Sequence, residues 1–287
     1  MNEFFKRAHN ILDRLEKLFL QSIRVSFVKG NTNCWKYSSS KNNLIPVQHL
    51  SKISLNDLRC IDEQKQRIIT NTKQFINGFT ANNALLWGPR GTGKSSLIKA
   101  LLNEYKDDGL KLIEIQKNEI TKLPLIYDQL YKKSGYFILF FDDLSFQDND
   151  AYYKTIKVNL DGSVQQIPDN VVVYATSNRR NLVSEHMIEN LDTKTIQGEL
   201  HHGDSTEDKL ALAERFGLRI SFHPFSQDSY LHIVEYWLKK MLGISGPIKP
   251  RIRQAALEWA LQNGSRSGRT AMLFSRDWAG KQQLEEL

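Results

Sequence analysis

The sequence has 287 residues, 40% hydrophobic and 25% charged, an ordinary balance for a globular chain of one large or two modest domains. No run approaches the ~18 apolar residues of a membrane helix, and the start Met-Asn-Glu-Phe-Phe-Lys has no secretory pattern, so the expected location is cytoplasmic. The net charge is +7, and residues 1–80 carry all of that excess, with 13 Lys/Arg against 6 Asp/Glu.

Residues 3–19 place Phe4, Ala8, Ile11, Leu12, Leu15, Leu18 and Phe19 at three- and four-residue steps, which predicts an amphipathic helix. A weak extended stretch, 23–28, follows. Residues 29–43 are polar and read as a linker, which puts a domain boundary at residue 43. A basic leading segment suits an acidic partner such as nucleic acid, or is simply a solvated face.

Beyond the linker, strand and helix patterns alternate. Ala84–Trp87, Leu110–Ile115, Phe137–Phe141 and Val171–Ala175 are apolar on both faces, and Leu218–Phe222 is a shorter fifth run. Such runs are expected of parallel strands covered on both sides. Helices are expected over 62–77, 94–105, 121–132, 150–160 and 205–216. The predicted class is therefore α/β, a three-layer parallel sheet core over 44–225. After Pro224 only helices are expected, over 227–242, 251–262 and 267–280, giving a small all-helical domain over 226–287.

Gly88-Pro89-Arg90-Gly91-Thr92-Gly93-Lys94-Ser95, followed by Ser96, fits the G-x-x-x-x-G-K-[ST] phosphate loop at every fixed position. Phosphates carry dense negative charge, and backbone N–H groups solvate them only where no side chain intervenes. The glycines allow that approach. Lys94 is placed to reach the β- and γ-phosphates of ATP, and the Ser95 hydroxyl to ligate Mg²⁺. A strand enters the loop and a helix leaves it, as the motif requires.

The strand 137–141 ends in Asp142-Asp143. Two adjacent acids at the tip of an apolar strand need compensation, and a magnesium ion supplies it. Asp142 is the candidate metal ligand and Asp143 the candidate group that polarises water. The strand 171–175 ends in Thr176-Ser177-Asn178-Arg179-Arg180. Ligands bind at the carboxyl ends of parallel strands, so Asn178 is expected beside the phosphates.

These residues resemble the AAA+ ATPases. Gly88–Ser95 looks like their Walker A motif, Phe137–Asp143 like Walker B and Asn178 like sensor 1. Leu212-Ala213-Glu214-Arg215-Phe216-Gly217 is similar to the segment that carries their arginine finger, and Gly264-Ser265-Arg266-Ser267-Gly268-Arg269 to their sensor 2 region. Residues 58–75, with Ile61, are similar to the box lining their adenine pocket. The strings Leu-Leu-Trp-Gly-Pro-Arg-Gly-Thr-Gly-Lys-Ser-Ser and Ala-Thr-Ser-Asn-Arg-Arg resemble a bacterial branch known only as a domain of unknown function. The resemblance covers about residues 44–280. It implies ATP and Mg²⁺ as ligands, a homo-oligomer that shares arginines between subunits, and mechanical or regulatory work on a protein or nucleic-acid client.

The chain departs from the AAA+ pattern in places. Asp143 stands where most members have Glu, and Cys60 where many have Gly. Arg179 and Arg180 compete with Arg215 as the finger, and Arg266 competes with Arg269 as sensor 2. A shorter acid keeps open a second reading, a nucleotide-dependent switch or loader that hydrolyses little. A small-molecule kinase has less support, since the helical C-terminal domain has no role in it. His201-His202 reads as a polar loop without metal-type spacing, Tyr152-Tyr153 as half-core aromatics, and Trp237 and Trp259 as core of the helical domain.

Overall fold

The computed structural model describes residues 25–28, 30, 32–146, 151–161, 166–179, 182, 212–244 and 246–285. The expected helix 3–19, most of the expected helix 205–216, Arg180 and His201-His202 lie outside the described residues. In chain order the elements are β1 (Ser26–Phe27), β2 (Cys34–Ser38), β3 (Asn43–Pro46), a 3-10 turn (Leu55–Asp57), α1 (Asp62–Ile76), β4 (Ala84–Trp87), α2 (Lys94–Tyr105) and β5 (Leu110–Glu114). They continue as a second 3-10 turn (Lys117–Lys122), α3 (Leu123–Leu130), β6 (Tyr136–Phe141), α4 (Ala151–Asp161), β7 (Val171–Ser177), β8 (Leu218–Ser221), α5 (Gln227–Leu242), α6 (Pro250–Gln262) and α7 (Gly268–Glu285). None of the described helices is long and apolar enough to cross a membrane.

One sheet runs β1-β3-β2-β5-β6-β7-β4-β8, and every neighbouring pair is parallel except β2 with β3. Alternation along the central strands divides the core in two. Phe137, Leu139 and Phe141 of β6 join one apolar cluster with α3 and α4, while Ile138 and Phe140 join another with α1 and α2. This is the three-layer arrangement expected from strands apolar on both faces. The edge at β8 is closed by side chains of α1, since Gln64 donates to the Ser221 carbonyl and Arg67 to the Arg219 carbonyl, both at 3.0 Å. Such a cover keeps an edge strand from pairing with another chain.

The last three helices have a core of their own, built on Tyr230, Val234, Leu238, Ala256, Ala271 and Phe274, with Trp237, Trp259 and Trp278 packed against it. α5 is capped at both ends. The Ser226 hydroxyl accepts from the Ser229 amide at 3.1 Å, and Gly243 takes the left-handed conformation after the last turn. The expected helix 121–132 is shorter than its pattern. A 3-10 turn occupies Lys117–Lys122, and the α-helix starts beside Pro124, which suits a first turn.

The expected linker 29–43 is corrected by the structure. Residues 34–38 form β2, which pairs in parallel with β5 through Cys34 with Leu112, Trp35 with Ile113 and Lys36 with Glu114. A boundary at residue 43 would fall at the first residue of β3. The polar run that suggested a linker is the hairpin turn 39–42 plus the outward residues of a short strand. Trp35 and Tyr37 are buried. Asn42, at φ +47°, accepts from the Tyr37 hydroxyl at 2.6 Å and closes the turn. The Ser39 amide and hydroxyl donate to Glu119 at 3.2 and 2.8 Å.

Removing residues 1–43 therefore strips β2 from β5 and uncovers core. The 44–287 chain is expected to precipitate or unfold on light scattering. Trp35→Ala in the full chain is expected to cost about 3–5 kcal/mol in denaturant melts, as for other large core truncations.

Candidate nucleotide site

β4 delivers the chain to Gly88, whose amide donates to the Ser177 carbonyl of β7 at 3.1 Å. Gly88 has φ +137°, and a Cβ there would lie 2.2 Å from the Phe222 carbonyl oxygen, so no other residue fits. The loop then turns through Gly91 and Gly93, both at positive φ, and α2 begins at Lys94. A Cβ on Gly91 would meet the Ser267 hydroxyl at 2.7 Å, which shows how closely the loop packs against the start of α7.

Lys94 is buried, and its ammonium donates to the carbonyls of Gly88 at 2.6 Å and Pro89 at 2.8 Å and to Asn178 Oδ1 at 3.3 Å. Burial pushes its pKa down to about 8, against the pull of Asp143 and Asp142, and Arg90 and Arg269 lower it further. An ammonium held this way, with no carboxylate among the described residues in direct contact, suits an anionic ligand.

The two acids differ in their partners. Asp142 Oδ1 accepts from the Ser95 hydroxyl at 2.5 Å and from the Thr176 hydroxyl at 2.7 Å. Asp143 Oδ1 accepts from Asn178 Nδ2 at 2.5 Å, and its Oδ2 lies 3.8 Å from Arg90. Thr176 joins the acids, because its hydroxyl also accepts from the Asp143 amide at 2.9 Å. The expectation that the acids are costly burials is corrected, since both are exposed to the cleft. Leu144 resumes the core beyond them.

The cleft encloses about 550 Å³. Arg90 to Ser96, Asp142, Asp143, Thr176, Asn178 and Arg269 line it with polar groups, and Leu58, Ile61, Phe225, Trp237 and Met272 supply apolar walls. Gly88 and Pro89 contribute carbonyls to Lys94 without lining the cleft. Thr176, Asp57 and Trp237 line it and were not among the residues expected from sequence, whereas Arg59 lies within the expected 58–75 box. Thr176 stood in the polar string after β7, but its double role is set by its register against β6. The oxygen donors Ser95 and Asp142 fit a hard cation such as magnesium. Among the described residues no three His, Cys, Asp or Glu side chains cluster as a metal site, so phosphate oxygens and water would complete the coordination.

Residues 30–282 match the family described as "Protein of unknown function (DUF815)". The chain belongs to the DUF815 family. This DUF815 protein is also 37% identical, over 94 residues, to an AAA-ATPase of Arabidopsis thaliana, a match covering 29% of this chain and 17% of the plant protein. Its fold is that of AAA+ proteins. It is similar to the Thermotoga maritima RuvB Holliday junction branch migration motor, with TM-score 0.50 and 13% identity over 78% of this chain and 63% of that one. It is likewise similar to the Aeropyrum pernix Orc1 protein in complex with DNA, with TM-score 0.51 and 15% identity over 75% and 58%. The chain thus spans less than two thirds of the length of these relatives.

The arginines of the DUF815 protein separate by position. Arg90 and Arg269 line the cleft, whereas Arg266 and Arg215 do not. The Arg269 amide donates to the Gly91 carbonyl at 3.4 Å. Arg179 follows β7 outside the cleft, and its amide donates to the Ser177 hydroxyl at 3.1 Å. Arg215 is exposed and precedes Leu218, which pairs with Ala84 at the opposite end of the strands from Gly88.

Because the folded chain depresses Lys94, the unfolded chain keeps this proton to higher pH. The group disfavours folding below about 8, and the penalty fades as pH rises from 8 toward the ordinary lysine value. A phosphate ligand needs the ammonium form. Affinity for inorganic tripolyphosphate is therefore expected to fall above pH 8, approaching about tenfold per pH unit. Calorimetry in two buffers of different ionisation enthalpy should show proton uptake on binding.

Proposed function

We propose that this protein binds ATP with Mg²⁺ and hydrolyses it, and that the cycle moves its helical domain against its sheet domain to act on a client. The observation that carries this reading is the convergence of a buried Lys94, Ser95, Asp142, Asp143 and Asn178 on one cleft. Backbone amides of the loop and the N-terminus of α2 would solvate the phosphates, and Lys94 would turn from the Gly88 and Pro89 carbonyls to the β- and γ-phosphates. Ser95 and Asp142 would hold magnesium, which neutralises charge on the phosphate oxygens. Asp143 would accept a proton from, or polarise, the attacking water, with Asn178 fixing its carboxylate. Ile61 and the apolar walls would take the base, and Arg269 would act from the helical domain on the phosphates.

Arg215 stands near the end of the strands opposite Gly88, so we assign it to a neighbouring copy's site in a homo-oligomer. A nucleic-acid client is favoured by the charge surplus in residues 1–80 and by the likeness to RuvB, a Holliday junction branch migration motor, and to Orc1 in complex with DNA. The expected setting is cytoplasmic. A second reading, a switch or loader with little turnover, is favoured by Asp143 itself. Its short side chain is already engaged by Asn178 and faces Arg90.

Lys94→Ala is expected to abolish binding of fluorescent ATP. Asp142→Asn should weaken magnesium-dependent binding. Asp143→Asn should preserve binding and lower phosphate release by about 10²–10⁴-fold. Identical behaviour of the two Asp variants would refute the division of roles, and a parent that binds ATP but releases no phosphate would favour the switch.

Arg215→Ala is expected to keep nucleotide affinity and lose roughly 10³–10⁵-fold in rate. Mixing it with the Lys94→Ala chain should restore part of the activity in assemblies confirmed by light scattering. No rescue would mean that Arg215 acts within its own chain or only in packing.

A further inference from the structure

The sheet domain and the helical domain meet across the cleft at two main polar junctions, beside a 3.8 Å bond from the Cys60 thiol to the Ser229 carbonyl. One is the contact of Gly91 with Ser267 and Arg269. The other is Asp57, which ends the 3-10 turn just before the Leu58–Ile61 wall. Its side chain is 2% exposed. One carboxylate oxygen accepts from the amide and hydroxyl of Ser54, at 2.8 and 2.9 Å. The other reaches across to α5, where it accepts from the Tyr236 hydroxyl at 2.5 Å and from the Lys240 ammonium. Tyr236 and Lys240 are one helical turn apart, so both face the same carboxylate.

The same junction shapes the wall of the cleft. The Arg59 guanidinium stacks 4.4 Å from the centre of the Tyr236 ring, and its buried Nε has no hydrogen-bond partner among the described residues. Tyr236 meets Trp237 edge to face at 5.4 Å, and the Lys240 ammonium lies 5.2 Å from the Trp237 ring. Asp57, Arg59 and Trp237 all line the cleft beside Leu58 and Ile61. Burial alone would raise the Asp57 pKa, yet its bonds from Lys240, Tyr236 and Ser54 hold it at about 2, so the carboxylate stays charged throughout the neutral range. A buried carboxylate loses much when one partner is removed.

We propose that Asp57 is the positioning residue of the base end of the cleft. Through Tyr236 and Lys240 it draws α5 shut and locks Arg59 and Trp237 as walls for the aromatic base of a nucleoside triphosphate. This rests on reading the cleft as a nucleoside triphosphate site. The phosphate loop lies outside the junction, so the latch discriminates a nucleotide from a bare phosphate chain.

The test compares ATP and inorganic tripolyphosphate binding to the full chain, to Asp57→Asn, to Lys240→Met and to the double variant, by calorimetry and stopped flow. Each single variant should lose about tenfold in ATP affinity, as expected for a charge-assisted bond, through faster dissociation. Tripolyphosphate affinity should hold, and the double variant should be no weaker than the worse single one. Equal losses for both ligands would mean general loosening and overturn the proposal, as would unchanged ATP affinity or additive effects. Lys240 is half exposed, so its variant carries the test if Asp57→Asn does not fold. A parent that binds tripolyphosphate but not ATP would instead overturn the nucleotide reading itself.

Discussion

The parallel register of β6, β7 and β4 is the constraint on which the cleft depends. Phe141 is level with Ala175, and Trp87 with Ser177. Asp142 is therefore level with Thr176, and Gly88 with Asn178 two residues further along β7, so the three tips emerge in neighbouring rows at the same end of the sheet. Backbone pairing continues just past the strands, where the Gly88 amide meets Ser177 and the Leu144 amide meets Thr176 at 2.7 Å. A slip of one residue would turn Thr176 and both acids to the wrong faces. The apolar alternation that buries β6 on two sides is what forbids the slip.

Around that register the site accepts local strain. Asp143 sits at φ +56° and Cys60 at φ +60°, the left-handed region that costs most side chains about 1–2 kcal/mol. Asp143 is held there by the Thr176 hydroxyl on its amide and by Asn178 on its carboxylate. Cys60 stands between Arg59 and Ile61, both in the cleft wall. Strain at such positions persists where surrounding contacts over-determine it, and here the two strained residues border the cleft from different elements.

The helical domain closes on its own tryptophan-lined core and meets the sheet domain through polar contacts, with Phe225 packed against both cores. The Gly91 junction can exchange its hydrogen bond with water at little net cost, whereas the buried Asp57 carboxylate holds the two domains together. A helical domain joined this way would tilt about Phe225 while its own tryptophan-lined core stays closed, which is the mechanical property the proposed cycle needs. The family match over residues 30–282 spans both domains and β2, in keeping with one functional unit.

The sequence by itself determined the phosphate loop, the two strand tips and the order of central elements. Each rests on neighbours in the chain: a fixed spacing of Gly, Lys and Ser, or a run of five or so residues apolar on both faces. It misplaced β2, because a strand of alternating Trp35, Lys36, Tyr37 and Ser38 beside a polar turn has the local composition of a linker. Only the ladder to β5 shows it to be sheet. It also gave no sign of Asp57, one acid in a polar stretch whose partners Tyr236 and Lys240 are 179 and 183 residues away. Local spacing carries helix faces, strand alternation and loop chemistry. Which charge is buried, and against what, is decided by contacts between distant segments, and these exist only once the chain has folded.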